Sequence, residues 1–146
     1  MALNSIVCGV TGSEASEKAT LAAARMAKEA GAALTLVYVV DASFLYGLTI
    51  QLRPEFAEQS LAHLGGHILD RGEEIAQGVG LSVKKVLRRG KILQVLQDVI
   101  REEAADVLVV GDEGRTFAEK VLFGGQVVDN VKEIEARTGV PVKVIR

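Results

Sequence analysis

Short apolar runs and longer amphipathic stretches alternate along the whole chain, and that alternation limits the fold more than any other feature. Ser5 to Val10 is a brief run with isoleucine and valine, read as a strand buried on both faces. Gly12-Ser13 opens a helical stretch that runs to Ala30, with Ser13 suited to the N-cap and Gly31 to the C′ position. Its core face is mostly alanine (Ala15, Ala19, Ala22, Ala23 and Ala27), which lets a helix lie close to a sheet. Leu34 to Val40 is a second buried strand, Asp41 to Arg53 a long loop, and Pro54 the first turn of a second helix. Ala57, Leu61, Leu64, Ile68 and Ile75 give that helix an apolar stripe. Leu81 to Leu87 is a third strand with lysines on one side, and Leu93, Leu96, Val99 and Ile100 mark a third helix. Asp106 to Val110 is a fourth strand. Val127, Val131 and Ile134 mark the last helix, which ends at Thr138-Gly139. Val140 to Ile145 is a fifth strand.

Nine alternating elements starting and ending on a strand require a parallel sheet covered on both sides, since each strand has two faces to bury. Right-handed crossovers make it doubly wound. The expected fold class is therefore α/β: one five-stranded parallel sheet with helices on both faces, Rossmann-like, in a single domain spanning 1–146. The length, 146 residues, suits one such domain and needs no disulfide or metal to support it.

Composition narrows the function classes. A net charge of −2, with four phenylalanines, two tyrosines and no tryptophan, disfavours a nucleic-acid binder, which carries a basic excess and stacking platforms. A single cysteine, Cys8, fits a reducing compartment, and the first residues lack a basic signal region. No apolar stretch approaches the ~20 residues that span a bilayer. These features give the expectation of a cytoplasmic protein with no membrane or nucleic-acid partner.

Glycine is in excess, 15 residues, and the useful ones cluster at strand ends. In such sheets a ligand lies beyond the carboxyl ends of the strands, where the winding reverses. Gly9-Val10-Thr11-Gly12-Ser13 follows the first strand and Gly111-Asp112-Glu113-Gly114-Arg115 the fourth. Gly124-Gly125 opens the last helix, whose free N–H groups at Gly125, Gln126 and Val127 suit an anion. Neither a Walker lysine motif nor a G-x-G-x-x-G dinucleotide fingerprint occurs. Gly9 is expected to permit a close approach at the first strand end. Gly65, Gly66 and Gly72 fall inside the second helix, cost roughly 1 kcal/mol each relative to alanine, and have no reason visible in the sequence.

Gly111-x2-Gly114-x9-Gly124 matches the G-x2-G-x9-G-[ST] spacing of the universal stress proteins. Gly12-Ser13-x2-Ser16-x2-Ala19, Val37-Tyr38-Val39, Gly90, the run Ala105 to Gly111, and Pro141-Val142-x-Val144 follow in that family's order, so the chain resembles it over nearly its whole length. The resemblance implies a strand order of 3-2-1-4-5 and a nucleotide site of the kind that holds ATP in many members, while others bind none. Carried over by position, Gly9, Val10, Thr11 and the backbone near Val39 would flank adenine and ribose. Gly111, Gly114 and Arg115 would line ribose and phosphates, and Gly124, Gly125, Gln126 and Val127 would offer N–H groups to the phosphates. Mg²⁺ or Mn²⁺ would accompany the nucleotide. The resemblance also implies a homodimer through Val140–Arg146. The chain departs from the family pattern at Thr11, where aspartate is usual, at Gly125, which lacks the hydroxyl, and at Asp112, where a small hydroxyl residue is common. A carboxylate about 6 Å from a phosphate charge costs roughly 3 kcal/mol at an effective dielectric of 20, which Arg115 or a divalent metal could offset; Asp112 could also point away or itself hold Mg²⁺ or Mn²⁺.

The function expected from the sequence is a small ATP-binding regulatory protein of the stress response. The alternatives are a nucleotide-free homodimeric interaction module and a slow ATPase in which Asp112 orients a water. No catalytic triad can be read, and no catalytic residue is assigned. His63 and His67 have metal-chelating spacing but are read as part of a solvated helix face, with Asp70, Arg71, Glu73 and Glu74 nearby. Lys84, Lys85, Arg88, Arg89 and Lys91 are read as the guard of an edge strand. Cys8 is read as a buried filler. Phe44, Tyr46 and Leu48 fit either a cover over the nucleotide or a filler over the second helix.

Overall fold

The computed structural model describes residues 3–41, 54–112 and 130–146. In chain order the elements are β1 (Ser5–Gly9), α1 (Glu14–Ala30), β2 (Ala33–Val40), α2 (Pro54–Gln77), β3 (Lys84–Arg89), α3 (Ile92–Glu102), β4 (Val107–Gly111), α4 (Val131–Thr138) and β5 (Val142–Ile145). The five strands form one parallel sheet in the order β3-β2-β1-β4-β5. This is the doubly wound arrangement that the alternation of elements required.

The strand alternation divides the core into two layers. Ile6 and Cys8 of β1, Leu34, Leu36, Tyr38 and Val40 of β2, and Val107 and Val109 of β4 face α1 and α2. Val7, Val37, Leu108 and Val110 point the other way, against Val95, Leu96, Val99 and Ile100 of α3 and Ile134 of α4. Both faces of the three central strands are therefore apolar, which is why their sequences are continuous hydrophobic runs rather than alternating ones. Helix α1 begins at the expected cap: the Ser13 side chain accepts from the Ser16 N–H, and Gly31 closes the other end in the left-handed conformation.

Helix α2 corrects the sequence reading. Leu64 stands 51% exposed, so it does not belong to the core stripe. The buried side is Leu61, Gly65, Ile68, Leu69, Gly72 and Ala76, one face at helical spacing. Counting apolar side chains misplaces this face because two of its members are glycines. A Cβ at Gly65 would lie 2.3 Å from Cδ1 of Tyr38, and one at Gly72 would lie 2.7 Å from Cδ1 of Leu36. Tyr38 and Leu36 are two apart on β2 and point to the same side, so the glycines receive consecutive side chains of one strand face. At Gly66 a Cβ would meet nothing within 4 Å among the described residues beyond its own helix.

The third strand also shifts. The sequence placed it at Leu81–Leu87, whereas β3 is Lys84–Arg89. The apolar segment before it is not paired in the sheet. The Leu81 N–H donates to the Ala76 carbonyl and closes the end of α2, while Val79, Leu81 and Val83 pack on the α1–α2 layer. Apolarity there comes from a packed connector, and the strand proper is the charged stretch. As an edge strand, β3 carries Lys84 and Lys85, as expected. Lys84 meets Glu103 at 2.6 Å, and Lys85 meets Asp70 at 2.9 Å and Glu73 at 3.1 Å. Arg88 pairs with Glu102, and Arg89 lies 3.8 Å from Glu58. Lys84, Lys85, Arg88 and Arg89 of the basic cluster are thus matched by carboxylates.

Cys8 is fully buried, and desolvation pushes its thiol from an ordinary 9.0 up to about 12, partly countered by Thr20. A thiol held neutral in this way is a poor nucleophile, consistent with its reading as a filler. No helix among the described residues is long and apolar enough to cross a membrane.

Candidate functional site

The winding reverses between β1 and β4. Helices α1 and α2 cover one face of the sheet and α3 and α4 the other, so the chain leaves the ends of β1 and β4 in opposite directions. The crevice between these departures is where a ligand fits in an open α/β sheet. Gly9 ends β1, Val10 and Thr11 form the loop beyond it, and Gly111 ends β4. Val39 is the penultimate residue of β2, one strand away, with its side chain in the α3 layer. These five site residues therefore gather at one end of the sheet. Gly114, Arg115, Gly124, Gly125, Gln126 and Val127 lie outside the described residues, as do Phe44, Tyr46 and Leu48.

The loop after β1 is built by hydroxyls. The Val10 N–H donates to the Val37 carbonyl at 2.9 Å, which extends the β1–β2 pairing by one bond. The Thr11 N–H donates to the Ser16 hydroxyl at 2.9 Å, and the Ser16 N–H donates to the Ser13 hydroxyl at 3.0 Å. Thr11 Oγ1 lies 3.2 Å from Ser13 Oγ. Between them Gly12 adopts a φ of 87°, and a Cβ there would stand 2.8 Å from Cδ1 of Ile68. Left-handed backbone and a close neighbour both select glycine at this point. Glu14 and Glu17 occupy the first turn of α1 and already complement its dipole. The start of α1 is thus a self-capped, acidic rim around Thr11.

Gly111 is required by packing. A Cβ on it would stand 2.5 Å from the Ala15 carbonyl oxygen and 2.9 Å from the Ser16 nitrogen, both backbone atoms that cannot swing aside. This glycine lets the first turn of α1 rest directly on the end of β4. Gly9 differs from the expectation of a close approach. Among the described residues a Cβ there would meet only Val110 at 3.5 Å and Leu96 at 3.7 Å, which are ordinary contacts, so their packing does not demand glycine at Gly9.

Two carboxylates frame the crevice. The Asp112 N–H donates to the Ile145 carbonyl at 2.8 Å, and its carboxylate lies 3.4 Å from the Arg146 guanidinium. Arg146 thus supplies a positive partner for Asp112, a role for which the sequence suggested Arg115 or a metal. Asp41, just past β2, accepts from the Ile92 N–H at 3.0 Å and caps α3 from outside that helix. By sequence, Asp41 is only the first residue of a long loop. A signal was present all the same: α3 starts at Lys91, which makes no side-chain cap bond, so its first N–H groups had to find an acceptor elsewhere.

A cleft of about 150 Å³ opens beside this end of the sheet, between α1 and α2, lined by Val10, Gly12, Ser16, Ile68 and Gly72 among others. It is smaller than the roughly 300 Å³ at which ordinary ligand pockets begin. The strand-end crevice, not this cleft, is the candidate nucleoside site.

Known proteins share this architecture. A universal stress protein of Methanocaldococcus jannaschii is 29% identical over 119 residues, covering 82% of this chain and 70% of that protein. The crystal structure of a universal stress protein in complex with cAMP superimposes with a TM-score of 0.73 at 22% identity, covering 100% of this chain and 98% of that one. The universal stress protein from Archaeoglobus fulgidus in complex with dAMP superimposes with a TM-score of 0.60 at 21% identity, covering 100% of both chains. Identities this low show a common fold. The profile of the universal stress protein family matches residues 3–136, and with nearly the whole chain inside that match, the protein belongs to the universal stress protein family.

Proposed function

We propose that this protein is a regulatory nucleotide-binding protein. Its ligand would lie across the carboxyl ends of β1 and β4, with the base and ribose near Thr11, Val39 and Gly111. The observation that carries this reading is the reversal of winding between β1 and β4. It sets the hydroxyl-rich loop Val10–Ser13 beside Gly111 and Asp112 at the one end of the sheet where strand-end groups face outward. Two features support it. Glycine at Gly9 leaves room that the packing of the described residues does not need. The structurally similar proteins described above are complexes with cAMP and dAMP. ATP is the nucleotide the glycine spacing favours. Its phosphates would meet Gly114, Arg115, Gly124, Gly125, Gln126 and Val127, and Mg²⁺ or Mn²⁺ would offset Asp112.

Calorimetric titration with ATP, AMP and cAMP, each with and without Mg²⁺, tests the reading. Expected is binding of at least one adenine nucleotide, with Mg²⁺ strengthening ATP more than AMP. Absence of heat and of any thermal shift at about 1 mM of every nucleotide overturns it. Mass spectrometry of small molecules released from freshly purified, denatured protein gives an independent readout. Phosphate release that disappears in Asp112→Asn while binding persists would add slow hydrolysis.

A second reading rests on β5. It is the edge strand opposite β3, and its Val142, Val144 and Ile145 are only partly buried. An apolar edge of this kind suits pairing with a second copy through Val140–Arg146. Sedimentation equilibrium distinguishes dimer from monomer, and Val144→Lys should shift the balance to monomer.

A further inference from the structure

We infer that His63 and His67 form a two-histidine chelate for a divalent transition-metal ion, with Zn²⁺ the best geometric fit. Their Nε2 atoms face each other across one turn of α2 at 3.3 Å. The rings stand nearly perpendicular, at 87° with centroids 4.8 Å apart, so they converge at their edges rather than stacking. Both side chains are exposed, and neither ring has another hydrogen-bond partner among the described residues. A zinc ion at the usual Zn–N length of about 2.0–2.1 Å, equidistant from nitrogens 3.3 Å apart, subtends an N–Zn–N angle of about 104–111°. That range brackets the tetrahedral angle. Imidazole is a good ligand for zinc, copper and nickel, so the ligand type and the spacing agree.

A hydrogen bond between the rings needs one Nε2–H to donate to the other ring's lone pair. Two neutral rings with both protons on Nδ1 would instead bring two lone pairs close together, an arrangement that a cation stabilises. Beyond His67, Asp70, Glu73 and Glu74 of α2 and Glu17 of α1 pair with Arg71 and with Lys85 of β3, four acids to two bases, so this stretch is acidic. No cluster of three or more metal-ligating side chains occurs among the described residues, so water or a group from another molecule would complete the coordination.

The position gives the chelate a structural consequence. Gly65 and Gly66 lie between the two histidines, in the turn of α2 with the least intrinsic helical preference. Gly65 is fixed by Tyr38, whereas Gly66 has no neighbour that requires it. A metal bound at both ends of this turn would brace it and raise the stability of the fold by binding only the helical form.

Calorimetric titration with ZnCl₂ tests the inference on the intact wild-type protein and on His63→Ala and His67→Ala. Expected is one ion per chain, with each variant at least about 100-fold weaker because chelation is lost. Zn²⁺ should raise Tm in the wild type and in neither variant. Both histidines are exposed, so the variants should fold, and their far-ultraviolet circular dichroism checks it. Titration with Co²⁺ gives a separate signature: an intense visible band of tetrahedral coordination in the wild type alone. Wild-type affinity in either variant, no binding at about 1 mM Zn²⁺, or an octahedral Co²⁺ spectrum would overturn the inference.

Discussion

Two adjacent glycines should respond in opposite directions to the same substitution. Gly65 and Gly66 both lie inside α2, and replacing either by alanine gains about 1 kcal/mol of helix propensity. Gly66→Ala meets nothing within 4 Å among the described residues beyond its own helix, so the gain should survive nearly whole. Gly65→Ala puts a Cβ 2.3 Å from Cδ1, 2.6 Å from Cε1 and 3.0 Å from Cγ of Tyr38. Carbon atoms normally rest about 3.5–4.0 Å apart, so helix and ring must separate by at least about 1.2 Å. Tyr38 is 8% exposed and held between α2 and the sheet, so its ring has little room to retreat. Overpacking of this kind costs about 1–3 kcal/mol, and three ring atoms in conflict argue for the upper end. The net effect of Gly65→Ala is then about 2 kcal/mol of destabilisation. Urea unfolding in metal-free buffer measures both changes. With a slope near 2 kcal/mol/M, the midpoint should fall by about 1 M for Gly65→Ala and rise by about 0.5 M for Gly66→Ala. In a Tyr38→Leu background the cost of Gly65→Ala should shrink, giving a coupling energy above about 1 kcal/mol. A higher midpoint for Gly65→Ala, or equal shifts for the two variants, would refute the idea that Tyr38 selects the glycine.

Two further predictions come from the site and the core. Asp41→Ala removes the acceptor that caps α3 and should lower stability by about 0.5–2 kcal/mol, with Asp41→Asn retaining most of it; thermal unfolding that matches wild type for Asp41→Ala would contradict the cap. The Cys8 thiol, pushed up to about 12, stays protonated in the folded chain while the unfolded chain ionises near 9.0. The unfolded state therefore binds fewer protons between these values, and stability should be full below about pH 9 and decline as pH rises toward about 12. Cys8→Ala should flatten that alkaline decline, and a thiol reagent at pH 8 should label wild-type Cys8 only after denaturation.

Much of the sheet was legible because its signal is local. Strands β1, β2 and β4 are covered on both faces, so Ile6–Cys8, Leu34–Val40 and Val107–Val110 are nearly continuous apolar runs that no amphipathic helix would show. The caps at Ser13 and Gly31 were equally plain, since a cap depends on the residue itself: the side-chain oxygen of Ser13 and the left-handed backbone of Gly31. The edge strand was harder. Lys84–Arg89 is one of the more polar stretches, and its apolar neighbours Leu81 and Val83 drew the boundary three residues early. The core face of α2 was misread for a related reason. Its most intimate contacts are made by Gly65 and Gly72, which carry no hydrophobic signal, while the exposed Leu64 carries a strong one.

The candidate site divides in the same way. The glycine spacing marked Gly111 as special, but as a ligand-facing residue; the structure adds that the backbone of Ala15 and Ser16 rests on it. Gly12 likewise has its reasons inside the protein, in its own φ and in Ile68. Gly9, expected to permit a close approach at the strand end and to flank the nucleoside, is the one of the three whose Cβ the described residues could accommodate. Nothing in the local sequence could have told these apart, because the need for glycine at each position depends on atoms far away in the chain, or on the absence of such atoms.

By itself, the sequence determined the class of fold, the order of elements and the membership of the universal stress protein family. These follow from period, caps and spacing, all of which act over a few residues. Tertiary structure alone decided which glycines are packed against, which carboxylate caps α3 and which cation answers Asp112. The physical reason is range: propensity and periodicity belong to single segments, whereas close packing and charge pairing arise only once segments distant in sequence are brought within a few ångströms.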